Sequence, residues 1–251
     1  MVKIIWQYCI KQTEIKSKEY PQRLHSITRA PHCLYYRGNI HIINQKYSIA
    51  VIGSRRMSEN GRTLAYQIGY ALGKSGINVV NGLAIGCDTH AIYGALAAGG
   101  TCIAVMPCGL EQIVPYSNIH LAKKLLLNGG CLISAYPPMT SAQRYQYVER
   151  DYLQSGISDG VLVIEANCDS GTMHTARYAI NQGRHLACID SRLVQYQSGN
   201  QWIEGQPNAC VISEIGDLDC FIAKIQQEIV YRQMTLDTVA NFCDVSEIDS
   251  V

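Results

Sequence analysis

The sequence predicts an α/β fold, a doubly wound and mostly parallel sheet to which the N-terminal segment adds edge strands. Three observations carry that expectation. Six short apolar runs lie at 47–52, 77–81, 101–106, 131–134, 160–165 and 186–189, unbroken by the polar alternation of a half-exposed strand, as expected for strands buried on both faces. A helix-patterned segment separates each run from the next, so consecutive strands run parallel. Glycines stand where those helices must stop: Gly76, Gly99-Gly100, Gly129-Gly130 and Gly183.

In chain order, residues 1–46 form a basic lead-in. Tyr20-Pro21 and Ala30-Pro31 interrupt it, and Leu34-Tyr35-Tyr36 and Ile40 to Ile43 flank Arg37-Gly38-Asn39 in the pattern of a hairpin with a Gly-Asn turn. Residues 47–232 make the main domain, with helices near 60–74, 88–98, 118–127, 147–156 and 171–182. A loop holding Ser198-Gly199-Asn200 then leads to an apolar run, Ala209 to Ile212, and a helix from Asp217 to Arg232. Residues 233–251 are an acidic tail with four carboxylates and no Lys or Arg.

The chain has 251 residues, 47% of them apolar, enough for one sizeable core. No apolar run approaches 18 residues and Met1 to Trp6 is too short for a signal peptide, so we expect a cytoplasmic protein without a membrane partner. Of eleven cysteines the closest two, Cys102 and Cys108, are six apart; without a close pair the expectation is buried thiols, no metal site and no cofactor. The net charge of +1 hides a gradient, from eight Lys/Arg against two acids in 1–46 to three against ten in 190–251. A basic end suits a phosphate-bearing partner, although solvated surface gives the same pattern.

Ligands of such sheets bind beyond the carboxyl ends of the strands, and three turns there suit anions. Gly53-Ser54-Arg55-Arg56 offers close backbone approach and cationic donors; Gly82 and Gly86 precede a helix that Asp88 is placed to cap; Ser170, Gly171 and Thr172 open another helix. Glycine turns also simply turn corners, and Arg55, Arg56 and Arg150 also suit surface ion pairs. His174 lies beside the third turn as a possible ligand contact, and Tyr116, Tyr136, Tyr145 and Tyr147 are candidates to stack on bases. There is no dinucleotide fingerprint and no P-loop.

Val51-Ile52-Gly53-Ser54-Arg55, Gly82-Leu83-Ala84 with Gly86 and Asp88, Gly94-Ala95-Leu96 with Gly99-Gly100-Thr101, Cys108-Gly109-Leu110 with Tyr116, Tyr136-Pro137-Pro138, and Glu165-Ala166 with Ser170-Gly171, Thr175-Ala176 and Gly183-Arg184 follow one another in an order that resembles the DNA-processing protein A (DprA, or Smf) family. The resemblance implies a Rossmann-like domain that binds single-stranded DNA without catalysis, forms a homodimer and loads the recombinase RecA in natural transformation. It also implies an alternative within the wider superfamily, a sensor of a small nucleotide or cyclic nucleotide. The superfamily's glycoside-cleaving members carry an acid in the third turn; here a threonine stands in its place, which leaves Asp88 or Glu165 as the acids of a weaker hydrolase reading. The family's Phe-Pro-x-Arg-Asn-Arg stretch corresponds to Tyr147-Val148-Glu149-Arg150-Asp151-Tyr152. One arginine survives and two acids enter, so we expect weaker DNA binding than in the family at large.

Overall fold

The computed structural model describes residues 8–229. Nine strands form one sheet: β1 (Lys11–Glu14), β2 (Cys33–Gly38), β3 (Ser48–Ile52), β4 (Asn78–Asn81), β5 (Cys102–Val105), β6 (Cys131–Ser134), β7 (Gly160–Val163), β8 (His185–Ile189) and β9 (Cys210–Ile212), in the order β1-β2-β6-β5-β4-β3-β7-β8-β9. The seven strands from β6 to β9 are parallel, whereas β2 pairs antiparallel with both β1 and β6. Every residue of β3 to β7 is buried, which is why these strands lack the polar alternation of a half-exposed strand; Ser48, Asn78, Asn81 and Ser134 stand only at their ends. From β3 the chain winds outward to β6, then returns to lay β7 on the other flank of β3. That reversal opens a crevice at the carboxyl ends of β3 and β7.

Through Ser213 the α-helices are α1 (Ile42–Gln45), α2 (Glu59–Lys74), α3 (Cys87–Ala97), α4 (Ile119–Leu127), α5 (Arg144–Gly156), α6 (Thr172–Asn181) and α7 (Ser198–Glu204). The four expected stops hold: Gly76, Gly99, Gly129 and Gly183 all take the left-handed backbone that ends a helix cheaply. Helix α2 starts where the Ser58 hydroxyl accepts the Gly61 N–H at 3.0 Å. Helices α2 and α3 cross in backbone contact through Gly69, Gly73 and Gly94; a Cβ at Gly69 would lie 2.0 Å from the Ala91 carbonyl oxygen.

Three expectations are corrected. The 34–43 hairpin does not form: β2 ends at Gly38 against the Gly130 carbonyl, and Ile40, Ile42 and Ile43 turn into the core, the last two in the short helix α1. The strand that pairs with β2 comes from upstream instead, as β1. Residues 198–200 are helical; buried Asn200 donates to the Ile164 and Ile189 carbonyls at 2.9 and 2.7 Å and accepts the Ala166 N–H at 3.0 Å, tying α7 across β7 and β8. Helix α5 begins at Arg144 rather than near 147, where the Gln146 side chain accepts the Gln143 N–H.

The lead-in is part of the core. Tyr20, Leu24, Leu34 and Ile43 pack in one cluster with Ala50, Val80, Ile103 and Ile133. Arg23 pairs with buried Asp159 at 2.6 Å, whose other oxygen accepts the Ser48 N–H at 2.8 Å. The described chain divides into two compact units, one through Ser213 and one from Glu214. In the second, residues 215–229 are helical, with an apolar stripe at Leu218, Phe221, Ile222 and Ile225; the expected helix end at Arg232 and the tail 233–251 lie outside the described residues. No described helix is long and apolar enough to cross a membrane. The ten described cysteines are free thiols; Cys102 and Cys131 are wholly buried, and burial holds both thiols far above their ordinary pKa.

Candidate functional site

The loop after β3 is folded by its own serine. Ser54 Oγ donates to the Arg56 carbonyl at 2.7 Å and accepts the Arg56 N–H at 3.1 Å, so Arg55 and Arg56 turn outward and are exposed. Two helix starts lock onto this loop: the Cys87 N–H donates to the Ser54 carbonyl at 3.2 Å, and the Thr172 hydroxyl to the Gly53 carbonyl at 3.2 Å. A Cβ at Gly53 would sit 2.6 Å from Cys87 Sγ, so only glycine permits the approach.

A cleft of about 1010 Å³ lies over these turns. Ten of the sequence-predicted residues line it: Gly53, Ser54, Arg55, Arg56, Tyr147, Arg150, Ser170, Gly171, Thr172 and His174. Arg55 lies over the Tyr147 ring, 5.8 Å from its centre. Arg144, Gln154, Asn167 and Tyr196 also line it and escaped the sequence reading. Arg144 and Gln154 share with Tyr147 and Asp151 one face of α5, a periodicity legible only with the helix start at 144.

Gly82 and Gly86 stand behind the cleft. A Cβ at Gly82 would lie 1.1 Å from Arg150 Nη1, and one at Gly86, whose φ is 88°, would lie 2.3 Å from the Ser54 carbonyl oxygen. The first makes room for a guanidinium and the second for a neighbouring loop. Tyr116 is 63% exposed on a separate turn, and Tyr136 and Tyr145 line a different cavity.

Asp88 does not occupy the cap position of α3, which is Gly86. It lies in the first turn, nearly buried, and its carboxylate accepts the Gly82 and Ala84 N–H groups at 2.9 and 3.3 Å. It thereby shapes the 82–84 loop beneath Arg150. Glu165 is fully buried and accepts the Ser58 N–H and hydroxyl at 2.5 and 2.7 Å, bracing the start of α2. Arg150 Nε lies 3.2 Å from Asp151 Oδ1, an ion pair whose angle makes no hydrogen bond, and its Nη1 donates to Gln154 at 3.1 Å.

Burial pushes the carboxyls of both Asp88 and Asp151 up to about 6, against the pull of Arg150 on each. Between roughly pH 4 and 6 the folded state therefore binds more protons than the unfolded state. The stability these groups contribute is therefore present at low pH and lost as pH rises through about 6. We expect Asp151→Asn to raise the Tm above pH 6 and to flatten this part of the profile, in thermal melts from pH 4.5 to 8. An unchanged profile would show that Asp151 is solvated like a surface carboxylate.

The family model for DNA recombination-mediator protein A matches residues 11–221. The chain belongs to this family. It is 35% identical over 189 residues to protein Smf of Escherichia coli, which covers 75% of this chain and 49% of that protein, and 32% identical over 188 residues to protein Smf of Borreliella burgdorferi, covering 75% and 60%. The chain thus spans about half to three-fifths of the length of these curated relatives. Among solved structures it resembles DprA from Streptococcus pneumoniae, with a TM-score of 0.76 and 28% identity over 84% of this chain and 74% of that one. The fold also matches DprA from Helicobacter pylori, a structure described for its single-stranded DNA binding mode, with a TM-score of 0.77 and 23% identity over 88% and 98%.

Proposed function

We propose that this DprA-family chain binds single-stranded DNA without catalysis, with phosphates held in the cleft at the ends of β3 and β7. The convergence of exposed Arg55, Arg56 and Arg144 beside the Ser170-Gly171-Thr172 opening of α6 carries the reading, because it joins solvent-facing cations to a helix N-terminus at one sheet edge. His174 adds a ring N–H, while Ser54 and Thr172 spend their hydroxyl hydrogens within the loop. The two acids offered by the hydrolase reading are both engaged by protein donors. The homodimer and the handover to RecA that the family resemblance implies belong to the same proposal, as does action in the cytoplasm during DNA uptake or recombination.

With Arg150 paired to Asp151, about three arginines remain for phosphates. The slope of log K against log salt should then be roughly −2, from about −0.7 per phosphate on single strands. Fluorescence anisotropy with a labelled dT12 strand measures it. Arg55→Ala should lower affinity and reduce the slope by somewhat under one unit. A second reading, a small-nucleotide sensor, draws on Asp88 and Asp151, which offset half of the four arginines lining the cleft. If no strand binds at low salt while a mononucleotide or cyclic dinucleotide raises the Tm, that reading replaces the first.

A further inference from the structure

Helix α5 presents two faces to two spaces. Arg144, Tyr147, Asp151 and Gln154 line the cleft, whereas Tyr145, Glu149 and Tyr152 line a second cavity of about 480 Å³. Tyr136 and Tyr178 complete an aromatic wall there, and Arg29 stands at its side. The Tyr152 and Tyr178 rings meet edge to face at 5.1 Å, and the Arg29 guanidinium lies 4.3 Å over Tyr152. Val148 and Arg150 line both spaces, so the cavity adjoins the phosphate cleft.

The polar groups of this wall are selective. The Tyr152 hydroxyl is held by Thr28 at 3.1 Å and by the Arg29 N–H at 3.2 Å, and the Tyr136 hydroxyl donates to the Glu149 carboxylate. These bonds fix the Tyr152 and Tyr136 rings in place, with Arg29 already covering one face of Tyr152. The Glu149 carboxylate has about four acceptor sites, of which Tyr136 takes one. A pocket of this size, with four tyrosines among apolar neighbours and a few oriented polar groups, suits one planar ligand.

We propose that this pocket takes a guanine base whose own phosphate lies in the cleft. Guanine alone among the common bases offers two adjacent donors, the ring N1–H and the exocyclic amino group, which match the two oxygens of a carboxylate. Its O6 and N7 acceptors suit an arginine fork such as that of Arg29. The proposal rests on the single-stranded DNA reading and deepens it: the phosphate contacts are indifferent to sequence, and this pocket adds a preference for one base. Glu149 would then act through recognition, while Asp151, on the opposite face of α5, acts on the phosphates through charge.

Competition against labelled dT12 tests it, using dT12 strands with one central dG, deoxyinosine or dC, and separately GMP. The dG strand should compete about five- to tenfold better than dT12, the low end for one bidentate base contact. Deoxyinosine, which lacks the amino group, should lose most of that gain, and dC should show none. Glu149→Gln should abolish the gain and leave dT12 affinity within about twofold; Tyr145→Ala should weaken it. Displacement by GMP at concentrations well above the dG strand places the base within a strand, and displacement by GMP as readily as by that strand marks a free nucleotide as the occupant; both support the pocket. Equal competition by dG and dT strands with no GMP effect overturns the pocket and leaves DNA binding standing. If dT12 does not bind, the reading beneath fails, and the pocket stands or falls on whether GMP raises the Tm of wild type but not of Glu149→Gln.

Discussion

Arg150→Ala should lower the stability of the protein by about 3–5 kcal/mol at pH 7.5, the cost of removing one partner from a buried charge cluster. For a domain of this size that is a drop in Tm of roughly 10 °C. The guanidinium lies against Gly82, reaches Gln154, and offsets the Asp88 and Asp151 carboxylates. Without it, both carboxylates are left in a poorly solvated site and their pKa values rise further, so the loss should shrink as pH falls toward 5 and they protonate. Arg150→Lys should recover part of the stability at pH 7.5, because it keeps the charge and loses the reach to Gln154. Thermal melts of the three proteins at pH 5 and 7.5 decide the matter; a pH-independent loss would mean that the residue matters for packing alone.

Gly94→Val should be at least as damaging. A Cβ at Gly94 would lie 2.0 Å from the Tyr66 carbonyl oxygen and 2.8 Å from the Tyr70 nitrogen, both on the α2 backbone, which cannot swing aside as a side chain can. The two helices must separate along a crossing that also depends on Gly69 and Gly73. We expect a loss of about 3 kcal/mol or more, at the upper end for overpacking, together with weaker strand binding, since the turns leading into α2 and α3 form the floor of the cleft. Urea titration at pH 7.5 checks the first and anisotropy the second. A midpoint within experimental scatter of wild type would show that α2 and α3 slide freely past each other.

The sheet was legible because its strands are buried on both faces and its helices end on glycine, two signals that act locally. The cleft was legible where strand ends carry Gly53-Ser54-Arg55-Arg56 and Ser170-Gly171-Thr172, since backbone approach and helix N-termini are encoded within a few residues. What escaped depends on distant partners. Gly82 reads as a phosphate turn and is instead a berth for Arg150, sixty-eight positions on. Asp88 reads as a cap because it opens a helix, but its acceptors serve a loop that precedes that helix. Ile40 to Ile43 read as the return strand of a hairpin, and the burial of Ile40, Ile42 and Ile43 in the core cluster beside Tyr20, Leu24 and Ala50 decides for the turn and helix α1 instead. The Glu149 and Asp151 departures look equivalent in sequence; two residues apart on a helix, they point in different directions, and only Asp151 lines the cleft.

The two margins of the sheet have a bearing on how copies of this chain behave in a crowded solution. Strand β6 is wholly buried, and its outer flank would offer a bare row of backbone donors and acceptors next to Leu132 and Ile133. The antiparallel strand β2 covers that flank, and beyond it the margin is β1, four residues of Lys-Gln-Thr-Glu with three side chains exposed. At the far margin β9 is three residues long. Short, charged or polar margins give a second molecule little to zip onto, and laying β2 on β6 takes the β6 backbone out of reach of such fibril-like stacking.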